Sequence, residues 1–125
     1  MGYNNKFALQ TVWDDFVYYM YTVVLPKIPR YHRASLSRKV ENTIWEISEA
    51  VEIAAYTREN RRTYLVRIDE KAKGLQSMLR LAIKINAVPN KRETEMAKRL
   101  LEIGKIVGGL LKKTQASTYQ PSLPL

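Results

Sequence analysis

The 125-residue chain contains no cysteine and only one histidine. The absence of cysteine excludes disulfides, thiolate nucleophiles and zinc–thiolate sites. Glycine-rich phosphate-binding motifs and the Gly-x-Ser-x-Gly turn of hydrolases are also missing. Charge-free stretches such as Phe16 to Leu25 are much shorter than the roughly 20 apolar residues that a membrane span requires, and no secretory signal is readable near the N-terminus. The sequence therefore predicts a cytoplasmic protein that does not associate with a membrane.

Acidic residues are few relative to basic ones. Twelve Asp and Glu stand against 21 Lys and Arg, which gives a net charge of +9 and an isoelectric point of 9.9. Residues 26–40 contain five basic side chains and no acidic one. Residues 61–84 contain seven basic and two acidic side chains, and residues 85–125 contain seven basic and three acidic ones. Residues 1–25 and 41–60, by contrast, are net acidic. A basic excess concentrated in this way indicates a polyanionic partner, with nucleic acid as the first candidate.

Apolar residues recur with helical spacing in four segments of the chain. Pro26 and Pro29, the polar run 57–62 and the segment 88–90 separate these segments. The predicted buried stripes are Leu9, Trp13, Phe16, Met20 and Val23; Val40, Ile44, Ile47, Val51 and Ala54; Leu65, Ile68, Ala72, Leu75, Leu79 and Ala82; and Ala97, Leu100, Gly104, Val107 and Leu111. Short connections make successive helices antiparallel. We therefore predict an all-α, up-down-up-down four-helix bundle over residues 1–114 and a flexible C-terminal tail over residues 115–125.

Groups that could carry catalysis are sparse. His32 lies in a predicted loop and lacks the Glu three residues before it that di-iron bundles require. Glu46, Glu49 and Glu52 have a spacing with which all-helical nucleotide pyrophosphatases hold magnesium, but they point away from the predicted core, and the second carboxylate pair of that class is missing. We predict no enzyme, no metal site and no cofactor. A magnesium-dependent nucleotide hydrolase is the alternative.

Two rows of basic residues are predicted on the outer faces of the third and fourth helices. A seven-residue repeat drifts by only about 20° around a helix, so residues spaced in this way form one row. Solvation of an outer face is the alternative, but the third helix has two carboxylates for seven bases, so we favour contact with nucleic acid or an acidic protein. The predicted partner-binding residues are Arg62, Lys73, Arg80 and Lys84, with Arg58, Arg61 and Arg67 near one end, and Lys91, Lys98, Lys105 and Lys112.

Tyrosines of the first helix and glycines of the fourth predict an oligomer interface. Tyr18, Tyr19 and Tyr21 cannot all face one buried stripe, and tyrosine suits an interface because it buries a large area while its hydroxyl stays hydrogen-bonded. Gly104 and Gly108 lie inside a predicted helix, where each costs about 1 kcal/mol relative to alanine. Close approach of another helix, within the bundle or across a subunit interface, would offset that cost. A local bend or a gap for a ligand is the alternative.

Three parts of the chain carry a family resemblance. The run from Tyr18 to Arg30 resembles accessory variability determinant proteins of diversity-generating retroelements. Leu79–Ile83 in the third predicted helix and Ile103–Gly109 in the fourth are similar to the corresponding helices of that family. The resemblance covers residues Val12 to Lys113. The family belongs to a broader superfamily of small four-helix bundles that includes proteins encoded in bacterial 23S rRNA intervening sequences.

This resemblance implies a ring-shaped homopentamer without catalysis of its own. Such a protein binds the retroelement's error-prone reverse transcriptase and its template RNA, with DNA or an RNA–DNA hybrid as related ligands, and supports mutagenic cDNA synthesis. Arg62, Lys73, Arg80 and Lys84 occupy places comparable to the family's partner-binding basic residues. An rRNA-associated four-helix-bundle protein is the alternative. The position of the gene, beside a reverse transcriptase gene or inside an rRNA gene, distinguishes the two.

Overall fold

A computed structural model of the chain describes residues 7–118, with the side chains of residues 7–114. This part consists of helices and their connections and contains no strand. The four helices are α1 (Ala8–Tyr19), α2 (Arg38–Tyr56), α3 (Arg61–Lys84) and α4 (Glu93–Thr118). Each helix packs against the next one along the chain, and α4 packs against α1. The prediction of an all-α four-helix bundle is confirmed.

The predicted stripe of α2 forms one wall of the core. All five of its residues, from Val40 to Ala54, are at most 2% exposed. The stripes of α1 and α3 are also buried over most of their length, with Trp13 and Phe16 among the largest fully enclosed side chains. Burial of such side chains stabilises the fold by about 2 kcal/mol each before conformational entropy is counted. The apolar periodicity of these segments therefore selects the faces that pack together.

The end of the first helical segment departs from the predicted register. Residues Met20–Val24 form a π-helical turn, followed by a 3-10 turn at Leu25–Lys27. A π turn contains one more residue per hydrogen-bonded ring than an α turn, so the residue that faces the core shifts by one position. Val24 is accordingly fully buried, whereas the predicted Val23 is only half-buried.

The buried stripe of α4 is rotated relative to the prediction. Met96, Leu100, Ile103 and Val107 face the core. Two of the predicted core residues, Ala97 and Gly104, are instead exposed, and a third, Leu111, is half-buried. Both stripes share Leu100 and Val107, so spacing alone does not choose between them. The larger side chains of Met96 and Ile103 bury more apolar area than Ala97 and Gly104, and they set the rotation.

The C-terminal helix is longer than the sequence predicts. α4 continues to Thr118, four residues into the segment for which a flexible C-terminal tail is predicted. The remainder of the predicted tail, residues 119–125, lies outside the described residues.

One hydrogen bond joins the buried faces of α1 and α2. The indole Nε1–H of Trp13 donates to Ser48 Oγ at 2.8 Å, and Ser48 Oγ in turn donates to the Ile44 carbonyl oxygen at 2.9 Å. Trp13 is only 1% exposed, so its indole N–H depends mainly on this acceptor.

Removal of the Ser48 hydroxyl is expected to destabilise the bundle by about 1 kcal/mol, because the Trp13 N–H would be buried without an acceptor. Urea unfolding of Ser48→Ala measures this cost. Thr43→Ala is the matched control, because Thr43 Oγ1 also donates to the carbonyl four residues earlier, at 3.0 Å, but lies in an exposed bond within its own helix. Equal losses in the two variants would contradict the role of the interhelical bond.

Candidate nucleic-acid and partner interface

The predicted basic row of α3 lies on the side of the helix that faces α4. Lys73, Arg80 and Lys84 are exposed. Arg80 also lines a groove between α3 and α4. Arg62, the fourth predicted member, donates from Nη1 to the Leu111 carbonyl oxygen of α4 at 3.2 Å. The structure therefore brings these four residues to one edge of α3.

The predicted row of α4 lies beside this edge. Lys91, Lys98, Lys105 and Lys112 are all exposed. On a helical wheel the row lies roughly opposite the buried stripe that contains Leu100, because both repeat at about seven residues. On the α4 side the groove between α3 and α4 is lined by Glu93, Met96, Ala97 and Leu100, so the lysine row lies outside this groove, on the outer surface of α4.

Neutralisation is uneven within the two rows. Lys73 Nζ lies 3.0 Å from Asp69 Oδ2, one turn earlier on α3, in an exposed ion pair. Arg62 is held by the α4 backbone. The remaining members form no ion pair with any side chain of residues 7–114. These remaining members define the α3–α4 basic face: Arg80, Lys84, Lys91, Lys98, Lys105 and Lys112.

Arg61 has a different role from the predicted one. Its Nε donates to the Ala54 carbonyl oxygen at 2.7 Å, and its Nη2 donates to the Ala55 carbonyl oxygen at 3.4 Å. Its guanidinium also stacks over the Phe7 ring at 5.0 Å. These carbonyls belong to the last turn of α2. No later N–H group of the helix is available there to donate to them. Arg61 is therefore a cap of α2 rather than part of the basic surface.

Arg67 and Arg58 also lie apart from the α3–α4 basic face. The Arg67 guanidinium stacks over the Tyr64 ring at 5.0 Å, and both side chains line a groove between α2 and α3. In the same groove Lys71 Nζ pairs with Glu46 Oε1 at 3.0 Å. Arg58 is exposed in the turn between α2 and α3. The sequence could not place these arginines, because the wheel position of Arg67 has meaning only once the neighbour of α3 is known.

The three predicted interface tyrosines separate in the structure. Tyr18 is 72% exposed, which confirms that at least one of them lies outside the core. Tyr19 is only 7% exposed and its ring packs under the Arg99 guanidinium at 4.5 Å, so its assignment to an oligomer interface is wrong. Burial raises the pKa of the Tyr19 hydroxyl, although Arg92 and Arg99 oppose the shift.

Tyr21 takes part in a hydrogen-bond network that the sequence did not indicate. Its hydroxyl accepts from Trp45 Nε1–H at 2.8 Å and donates to Glu41 Oε1 at 3.1 Å. Burial is the main cause of the raised pKa of Tyr21. The indole of Trp45 is nevertheless 56% exposed. Its position one residue after Ile44, off the buried stripe, was the available signal for this exposed tryptophan.

The glycines Gly104 and Gly108 of α4 have no close neighbour among the described residues. A Cβ built on Gly104 or Gly108 would meet no atom within 4 Å, and both residues are exposed. The interpretation that another helix of the bundle approaches them closely is therefore wrong. Their cost of about 1 kcal/mol each in a helix has no compensation from packing inside the described chain.

The glutamates of α2 are dispersed rather than convergent. Glu46 pairs with Lys71, and Glu52 Oε1 accepts from Gln10 Nε2 at 3.4 Å. Glu49 is exposed. Among the described residues, no three His, Asp or Glu side chains come together in a way that could hold a metal ion.

The fold and its charge define a helical bundle with one strongly basic face. None of the helices within residues 7–118 combines the length and apolar character that a bilayer crossing requires. A family model described as bAvd-like matches residues 6–114, and the chain belongs to this bAvd-like family of accessory variability determinants. No curated protein and no solved structure shows a significant match to the chain.

Loss of the Arg61 guanidinium is expected to lower the free energy of unfolding by about 1.5 kcal/mol, because two carbonyls at the end of α2 lose a charged donor. Thermal or urea unfolding of Arg61→Gln measures this effect. Arg58→Gln is the matched control, since it removes the same charge from the adjacent exposed turn. If both variants unfold alike, the capping role of Arg61 is refuted.

Proposed function

We propose that this protein is a non-catalytic accessory protein of a diversity-generating retroelement, which binds the reverse transcriptase and the template RNA through its basic surface. The observation that supports the proposal is the α3–α4 basic face, whose six cations lack acidic partners among the described side chains. Membership of the bAvd-like family gives this face its biological setting.

The arrangement of the face suits a phosphate backbone. Lys98 and Lys105 are two turns apart on α4, which corresponds to about 10.5 Å along the helix axis. Lysines on flexible stems contact phosphates without reading bases. Their binding releases counterions, so affinity depends strongly on salt and only weakly on sequence. RNA is the expected ligand, and DNA or an RNA–DNA hybrid would be held by the same contacts.

The partner role has a second, protein-directed part. An exposed cationic face also attracts an acidic surface of a polymerase, and a bundle that holds both polymerase and template raises the local concentration of one near the other. A ring-shaped homopentamer in the cytoplasm would repeat the face five times and increase this effect. The protein would thereby support mutagenic cDNA synthesis without any reacting group of its own.

Charge reversal on the α3–α4 basic face tests the proposal. In Arg80→Glu/Lys84→Glu, retention of template RNA or of the reverse transcriptase is expected to fall at least tenfold near physiological salt, because two attractive contacts become repulsive. The plot of log affinity for RNA against log salt is expected to lose about 0.7 of slope per contact removed. Fluorescence anisotropy and co-purification measure the two ligands.

Lys27→Glu/Arg30→Glu is the matched control for this test. It changes the net charge by the same amount at exposed positions of the α1–α2 connection, which are not members of the α3–α4 basic face. Loss of either ligand in the first variant alone supports the assignment. Unchanged retention of both ligands, with the helical circular dichroism intact, would overturn it.

The accessory role also predicts that the purified protein does not hydrolyse nucleotides in the presence of Mg²⁺. The physical reason is that Glu46, Glu49 and Glu52 do not converge on a common point, and Glu46 is already paired with Lys71. A phosphate-release assay with nucleoside triphosphates measures this. Turnover that disappears in Glu49→Gln but persists in the control Glu59→Gln would support a hydrolase instead.

A further inference from the structure

A second apolar stripe runs along the outer surface of α4. Ala97, Leu101, Gly104 and Gly108 follow one another at spacings of 4, 3 and 4, and all are exposed. Leu101 is 61% exposed, although its neighbour Leu100 is in the core. The two glycines leave a shallow strip in which an added Cβ would meet nothing within 4 Å. No contact among the described residues explains why this face of the helix is both apolar and small.

Positive charge borders this stripe. On the helical wheel the row of Lys98, Lys105 and Lys112 lies about 70° further around α4. These lysines are exposed and form no ion pair with side chains of residues 7–114. The surface therefore combines a small-residue strip with unneutralised cations.

The groove between α1 and α2 has the opposite character. It encloses about 530 Å³ and is lined by the aromatic residues Trp13, Tyr18 and Trp45, with Asp14 and Glu52 among its charged residues. No Lys or Arg side chain lines it. Its aromatic rim is large and exposed, in contrast to the small residues of the α4 stripe.

We propose that the α1–α2 groove of one copy of this chain binds the outer face of α4 of a second copy. Tyr18 and Trp45 would lie against the strip at Gly104 and Gly108, and carboxylates such as Asp14 would face the adjoining lysines. A second copy is the occupant because the two surfaces are opposite in charge and complementary in size. Large aromatic side chains against glycines give the close contact that offsets the conformational cost of helical glycine.

This contact is heterologous, since it joins two different surfaces of the same chain. Each copy has one groove and one α4 face, so the contact repeats from copy to copy and closes into a ring if the rotation allows. The inference rests on the proposed function in one respect, that the protein self-associates. It also divides the basic residues, because Lys98, Lys105 and Lys112 adjoin the neighbouring copy, whereas Arg80 and Lys84 belong to α3, on the other side of the groove that Arg80 and Ala97 line.

The glycines provide a test that leaves the protomer intact. Gly104→Gln/Gly108→Gln is expected to raise the dissociation constant of the assembly at least tenfold, because two long side chains would enter the strip. Light scattering coupled to size exclusion measures the mass. Gly74→Gln is the matched control, because Gly74 is an exposed glycine of α3 whose added Cβ also meets nothing. Glutamine favours a helix over glycine, so all these variants are expected to keep the helical circular dichroism of the protomer.

Charge reversal tests the pairing of the two surfaces. Asp14→Lys/Glu52→Lys makes both surfaces positive, and Lys98→Glu/Lys105→Glu makes both negative. Each variant alone is expected to lose self-association, while an equimolar mixture is expected to form mixed species in which the two chains alternate, because unlike surfaces then meet. Alternation cannot close a ring of five, so the mixed species are expected to differ in copy number from a homopentamer. Native mass spectrometry, which resolves the two chains by mass, detects the mixed species.

The outcomes separate this inference from the proposed function. A wild-type protein that is monomeric at all accessible concentrations overturns the inference, while RNA retention by Arg80 and Lys84 is measured independently. An oligomeric wild type whose mass is unchanged in Gly104→Gln/Gly108→Gln overturns this interface and leaves self-association in place. A mixture of the charge-reversed chains that stays monomeric overturns the pairing of groove and α4 face.

Discussion

The shared core is the constraint on which the remaining features of this molecule depend. Most of the stability of a helix in a protein comes from packing rather than from helix propensity, so each helix depends on burying one stripe against its neighbours. Once Ile44, Leu75, Ile103 and Phe16 are committed to the core, the rotation of every helix is fixed. The positions of the charged residues follow from that rotation. The basic rows of α3 and α4 are outside because the apolar stripes are inside.

Periodicity could predict this rotation only where one stripe is clearly more apolar than the others. On α2 it succeeds, because the large aliphatic residues Val40, Ile44, Ile47 and Val51 all fall on one stripe. On α4 it fails, because Ala97 and Gly104 match the spacing as well as Met96 and Ile103 do. In the first helical segment a π turn changes the spacing itself, and no residue type announces such a turn. The apolar periodicity therefore lacks two kinds of information: the size of the side chains in α4 and the backbone hydrogen bonding at the end of α1.

The candidate site divides in the same way. The exposure of Arg80, Lys84 and the α4 lysines could be predicted from the sequence. It depends only on the angle around the helix between the basic row and the buried stripe. The role of Arg61 could not, because its acceptors are carbonyls at the end of another helix, seven residues earlier in the chain. The exposed Trp45 and the empty space at Gly104 are likewise properties of the packed molecule.

Segregation of charge has an energetic consequence for partners. In the described chain α1 carries Asp14 and Asp15 and no base, whereas α3 carries seven bases and two acids. Like charges on one face repel one another modestly in water, and this repulsion is relieved whenever an opposite charge docks. The relief is available to RNA phosphates and to carboxylates of another copy alike, so the two ligands compete for any lysine that both can reach. A lysine adjoining a small apolar strip gains additional contact from a protein neighbour, which a phosphate backbone cannot supply. Arg80 lines one groove with Ala97 of that strip, so this competition extends to the α3 side of the groove.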